Sequence, residues 1–128
     1  MELFDSHAHY DDEKFDEDRD DIIKKIYESG ITKFVSAGYS LESSKKGIDI
    51  SNKYDFIYTT CGISPNDIPE TKEELDFQLE QIELLAKENK KVVAIGEIGL
   101  DYYWNKENKE IQKYAFDKTI NYIDELIN

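Results

Sequence analysis

Val92-Val93-Ala94-Ile95-Gly96-Glu97-Ile98-Gly99-Leu100-Asp101 opens as an unbroken apolar run and ends on carboxylates. Its β-branched and small residues, with no polar alternation, predict a strand buried on both faces. Such strands belong to parallel sheets of α/β proteins, where both faces are covered. Glu97, flanked by Gly96 and Gly99, is out of character for a core strand. Glutamate is almost never buried unless it is paired or bound to something. The glycines let the backbone bend and another group come close. A metal-ligand role for Glu97 satisfies both observations; the plainer alternative is a strand-end carboxylate in solvent.

Outward from this stretch, strands and helices alternate. A first strand is predicted over Glu2 to Ser6. A helix follows from Asp16 to Ser29, with Ile22, Ile23, Ile26 and Tyr27 on one face and Gly30 as its stop. Ile31 to Ala37 reads as strand two, and Leu41 to Lys53 as a helix capped by Ser40 and weakened by Gly47. Strand three is Ile57 to Cys61, closed by Gly62-Ile63-Ser64-Pro65. Thr71-Lys72-Glu73-Glu74 is a capping box that opens a helix to Glu88, with Leu75, Leu79, Ile82 and Leu85 as its apolar stripe. Strand four covers Lys91 to Glu97, and a last helix starts near Glu107. Four βα units imply an α/β fold with a parallel sheet and right-handed crossovers. No linker or low-complexity tract divides residues 1–128, so a single domain unit is expected.

Both histidines of the chain lie in Asp5-Ser6-His7-Ala8-His9. Residues two apart on a strand share a face, so His7 and His9 present two imidazoles side by side. Paired imidazoles are natural ligands for a divalent metal. On spacing alone, two loop or surface histidines remain an equal alternative.

The blocks Phe4-Asp5-Ser6-His7-Ala8-His9-Tyr10, Gly62-Ile63-Ser64-Pro65, Gly96-Glu97-Ile98-Gly99-Leu100-Asp101-Tyr102 and Glu110-Ile111-Gln112, in this order, resemble the TatD family of metal-dependent hydrolases. That resemblance implies a TIM-type (β/α)8 barrel and hydrolysis of phosphodiester bonds, in many members those of DNA. It assigns His7 and His9 as first-strand metal ligands and Glu97 as the fourth-strand carboxylate. The family's remaining ligands, two histidines and a late aspartate, lie on later strands. A complete barrel needs about 250 residues, so the expectation here is an N-terminal half of four βα units. By the same analogy His7, His9, Tyr39, Ser64 and Glu97 fall at the C-terminal mouth, and Val35, Ile57 and Val93 are inward core. Ser64 stands where the family usually has a histidine that helps hold the substrate phosphate. A serine can donate one hydrogen bond but cannot become a cation; a plain turn serine ahead of Pro65 is the alternative.

The chemistry implied is metal-assisted hydrolysis by one or two divalent ions. Zn and Mn suit mixed nitrogen and oxygen ligands, while Mg prefers oxygen; among Zn, Mn and Mg the sequence does not choose. The net charge is −13 and Arg19 is the only arginine, which argues against a tight grip on duplex DNA. DNA or another phosphodiester is expected as a weakly bound substrate. The Asp11-Asp12-Glu13 and Asp16 to Asp21 clusters read as solvated faces. Tyr102-Tyr103-Trp104 reads first as an aromatic plug against the strand ends and second as a base-stacking surface. Asp101 is expected to bond local backbone. Cys61, the single cysteine, forms no internal disulfide and is expected in the core. No signal peptide or membrane-length apolar stretch is seen, which predicts a cytoplasmic protein. Open sheet edges predict a homodimer or a complementing C-terminal half. Two other functions stay open: a non-catalytic half-barrel serving as an interaction module, and another His-x-His phosphoesterase or amidohydrolase.

Overall fold

The computed structural model describes residues 1–127. Strands β1 (Leu3–Ala8), β2 (Ile31–Ser36), β3 (Ile57–Cys61) and β4 (Val92–Ile95) alternate with helices α1 (Arg19–Glu28), α2 (Leu41–Lys53), α3 (Lys72–Glu88) and α4 (Lys109–Ile127). The strands form one parallel sheet in the order β1-β2-β3-β4. This is the βα progression expected of half a TIM-type barrel.

Helices cover one face of the sheet. Beneath α1 and α2, Phe34 and Ile57 pack with Ala8, Ile23 and Ile50. Beneath α3 and α4, Cys61 and Ile63 pack with Leu75, Leu79, Ile82, Ala115 and Tyr122. Each fully buried Leu or Ile in these layers contributes roughly 1.5–3 kcal/mol. Local chemistry sets the helix starts. The Ser40 hydroxyl accepts from Ser43 N at 3.1 Å, and the Thr71 hydroxyl accepts from Glu74 N at 3.2 Å. Gly47 lies inside α2 because the helix rides close on the sheet. A Cβ there would stand 2.6 Å from Thr59 Oγ1 and 3.2 Å from Ser36 Oγ.

Several expectations need correction. Strand β1 continues to Ala8, so His7 lies inside it. Helix α1 begins at Arg19, after a separate 3₁₀ turn at Glu13–Phe15. The cause is Arg19, whose guanidinium donates to the carbonyls of Tyr10 at 2.6 Å and Asp12 at 3.1 Å and to Asp16 Oδ1 at 2.6 Å. These bonds hold Asp16 to the preceding turn. Strand β4 ends at Ile95, so Gly96 and Glu97 lie beyond the ladder. Nor is β4 buried on both faces. Val92 and Ile95 pack on the α3–α4 core, but Val93 is 55% exposed and no inward core residue. It occupies the sheet's edge strand, whose second face no described residue covers. Ile57 is buried, but toward α1 and α2 and not inward. Val35, on the opposite face to Phe34, is buried as expected.

Candidate metal centre

The centre starts from Ala8, which is buried in the α1–α2 core. Side chains alternate along a strand, so its neighbours His7 and His9 point to the other face. Their Nε2 atoms stand 3.1 Å apart, with the rings edge to face. Tyr39 packs edge to face against His9 at 5.7 Å between centroids. No described residue bonds the buried Nδ1 of His9, so ring packing orients this imidazole.

Glu97 arrives from across the sheet. The Thr60 hydroxyl accepts from Gly38 N at 3.1 Å and donates to Gly96 O at 3.0 Å, linking three strand ends. Gly38 O accepts from Glu97 N at 2.5 Å, and Cys61 O accepts from Gly96 N at 3.0 Å. Gly62 admits the crossing segment, since a Cβ there would lie 2.7 Å from both C and O of Gly96. Glu97 Oε2 thereby comes 3.5 Å from His7 Nε2 and 3.4 Å from His9 Nε2. The three side chains are between about a third and a little over half exposed.

The three donor atoms form a triangle with edges of 3.1, 3.4 and 3.5 Å. Nitrogen and oxygen ligands about 2.0–2.2 Å from one Zn at tetrahedral angles would stand about 3.3–3.5 Å apart. The two edges to Glu97 fall at that spacing and the His7–His9 edge is slightly shorter, so the triangle, with its donor chemistry, suits one divalent ion. Among the described residues this is the one cluster of three such side chains with ligand atoms within 4.8 Å.

Ser64 is buried, and its hydroxyl donates to Asp67 Oδ2 at 2.5 Å. Its N–H donates to Tyr39 O at 2.8 Å. These bonds lock the turn after β3 and engage the hydroxyl within it. Burial, and then the fields of Asp11, Asp12 and Asp67, raise the Tyr39 phenol above its ordinary value. Asp11 is no solvated side chain: it is buried, and its Oδ2 accepts from Ser43 Oγ at 2.7 Å. Asp101 bonds local backbone, as expected, and the Trp104 N–H is the chief cause of its lowered pKa. Tyr103 and Trp104 form no plug, being exposed on the loop beyond Glu97. Cys61 is in the core, and burial pushes its thiol up to about 12. Gly38, Thr60 and Gly62 escaped sequence reasoning as positioning residues; the one signal was their place at predicted strand ends.

Residues 4–126 match the TatD related DNase family. The chain belongs to this family. It is 40% identical over 119 residues to the uncharacterized metal-dependent hydrolase YabD of Bacillus subtilis, covering 92% of this chain and 45% of the relative. It is 32% identical over 124 residues to the 3'-5' ssDNA/RNA exonuclease TatD of Cronobacter sakazakii, covering 97% and 46%. Two solved TatD structures superpose on it with a TM-score of 0.80. One is YJJV, a TatD homolog from Escherichia coli K12, with 26% identity over 93% of this chain and 45% of that one. The other is a TatD family hydrolase from Entamoeba histolytica, with 29% identity over 93% and 44%. The chain thus spans about half the length of the TatD relatives it matches. No described helix is long and apolar enough to cross a membrane.

Proposed function

We propose that this TatD chain holds a divalent ion through His7 Nε2, His9 Nε2 and Glu97 Oε2 for phosphodiester hydrolysis of single-stranded nucleic acid. The observation that carries the proposal is the meeting of both histidines and Glu97 within 4.8 Å. A bound divalent ion supplies charge neutralisation at phosphoryl oxygens and a nucleophile near neutral pH. The residues of the chain do the positioning. The two imidazoles offer neutral donors and Glu97 one negative charge, while Thr60 and Gly38 fix the backbone that carries Glu97. Tyr39 keeps His9 turned toward the cluster. A net charge of −13 repels an anionic strand, so a cation at the mouth reverses the field only locally. Weak and salt-sensitive substrate binding follows. Zn or Mn suits this donor set better than Mg.

Exposed Leu3, Phe4 and Val93 on the edge strands support completion of the barrel by further strands. These come from a complementing C-terminal half or a second copy of this chain, and residues 1–128 act as one partial-barrel unit. A cytoplasmic setting suits the single buried thiol of Cys61.

Native mass spectrometry with Zn or Mn supplied, followed by a hydrolysis assay on end-labelled single-stranded DNA, tests the proposal. Stoichiometric metal that is lost in His7→Ala, together with metal-dependent cleavage, is the expected result. Absence of metal in the unsubstituted chain overturns it. Metal without cleavage identifies a binding module that lacks the hydrolytic activity.

A further inference from the structure

The loop after Glu97 raises two aromatic rings into solvent. Tyr103 and Trp104 are each 74% exposed, with ring centroids 4.8 Å apart, edge to face. Aromatic side chains bury about 150–250 Å² where they can, so a pair held in water on a firm support marks a surface that meets something.

The support is firm because it is hydrogen-bonded throughout. Gln112 is fully buried, and its Oε1 accepts from Asp101 N at 2.8 Å. Its Nε2 reaches Asp101 O and Asn105 O, each at 3.1 Å, and Asn108 Oδ1 at 2.7 Å. Asp101 Oδ1 accepts from the backbone N–H groups of Tyr103 at 3.0 Å and Trp104 at 3.1 Å. Asn66, in the turn after β3, donates to Asp101 Oδ2 at 3.1 Å and accepts from Asn105 Nδ2 at 2.7 Å. The backbone beneath both rings is thus tied to helix α4 and to the turn after β3.

We infer that Tyr103 and Trp104 form a stacking surface for an unpaired base of a single strand led to the His7–His9–Glu97 centre. This rests on the function proposed above. The charge of the surroundings selects the base over the phosphate. Around the pair, Glu70 and Glu107 counter Lys106, and the whole chain is acidic. Such a surface grips phosphates poorly, whereas every base has an uncharged π-face that stacks without regard to sequence. A duplex keeps those faces occupied, so the surface favours single strands. Trp104 follows Glu97 by seven residues, a chain reach of about 25 Å at most. The bound base therefore lies within a few nucleotides of the centre.

Trp104 is the only tryptophan, so its fluorescence reports on this surface alone. Titrations use a short oligothymidylate, up to millimolar, and an abasic oligonucleotide of equal length and charge. EDTA is present throughout, which removes any part played by metal or hydrolysis. Oligothymidylate is expected to quench Trp104 and the abasic strand is not. Tyr103→Leu should raise the half-quenching concentration roughly fivefold to a hundredfold, the range for losing one stacked base. Exposed rings can be replaced without unfolding the chain, which circular dichroism verifies. Equal quenching by the abasic strand, or none by oligothymidylate, overturns the inference. If the unquenched chain still cleaves single-stranded DNA with metal, the stacking surface fails and the proposed function stands. Base-specific quenching in a chain that binds no metal upholds the stacking surface and overturns that function.

Discussion

Thr60 Oγ1 donates to the Gly96 carbonyl at 3.0 Å while accepting from Gly38 N at 3.1 Å. One half-buried hydroxyl thus fastens β3 to the segments carrying Tyr39 and Glu97. Thr60→Val keeps the shape and removes both bonds, leaving a backbone N–H and a carbonyl short of a partner. The expected cost is about 1–3 kcal/mol in urea unfolding. Metal affinity, read by calorimetry, should fall about tenfold as Glu97 loosens, in the range seen when supporting groups around a metal are lost.

Replacing a donor itself should do more. His9→Ala removes one corner of the triangle, and Glu97→Gln removes its only charge without changing its shape. Each is expected to weaken Zn or Mn binding at least a hundredfold, beyond the roughly 10–100-fold typical of supporting residues. Circular dichroism should be unchanged, because both side chains are part-exposed and outside the two cores. Tyr39→Leu keeps an apolar wall beside His9 but loses the ring contact, and a loss of tenfold or less is expected. A variant that binds metal normally would remove its residue from the centre.

Gly47→Ala sets two effects against each other. Alanine gains about 1 kcal/mol of helix propensity over glycine. Its methyl would stand 2.6 Å from Thr59 Oγ1, a short, fully buried side chain that donates to Ser36 O at 3.1 Å. Overpacking of this kind costs about 1–3 kcal/mol, and Thr59 has nowhere to retreat. Net destabilisation is expected, measured as a lower urea midpoint with an unchanged slope. A stabilised variant would mean that α2 can lift off the sheet freely.

How much was legible in the chain depended on how local the cause was. The span of α2 and the Ser40 and Thr71 caps were readable because a cap needs only its own turn. The meeting of His7, His9 and Glu97 was readable because strand alternation and βα order carry residues to one end of a sheet. Val93 was misread because apolar composition says what a residue tolerates, not whether a second face is covered. Tyr103 and Trp104 were misread for a different reason: the Asp101 bonds to their N–H groups were expected, but the Gln112 and Asn66 side chains that tie down this loop come from a later helix and from the turn after β3. Asp11 looked like one carboxylate in an acidic run, and both its burial and its bond from Ser43, distant in sequence, come from the tertiary fold. Thr60 could not be told from any other β-branched strand residue.

The alkaline limit of stability follows from two buried groups. Burial pushes the Cys61 thiol from about 9 up to about 12, and the Tyr122 phenol from about 10 up to about 12. Both folded values exceed the unfolded ones, so the folded state keeps its protons longer. The contribution is complete below about pH 9 and is lost as pH rises toward 12. Urea midpoints should therefore hold steady up to about pH 9 and fall steadily above it. Cys61→Ala should flatten the early part of that fall, at the cost of a small cavity and a lower midpoint at neutral pH. Alkylation supplies an independent check. Iodoacetamide at pH 8 should leave Cys61 unmodified in the folded chain and label it promptly in urea, since only the exposed thiolate reacts. Prompt labelling without urea would show that the layer between β3 and α3 opens far more readily than its packing indicates.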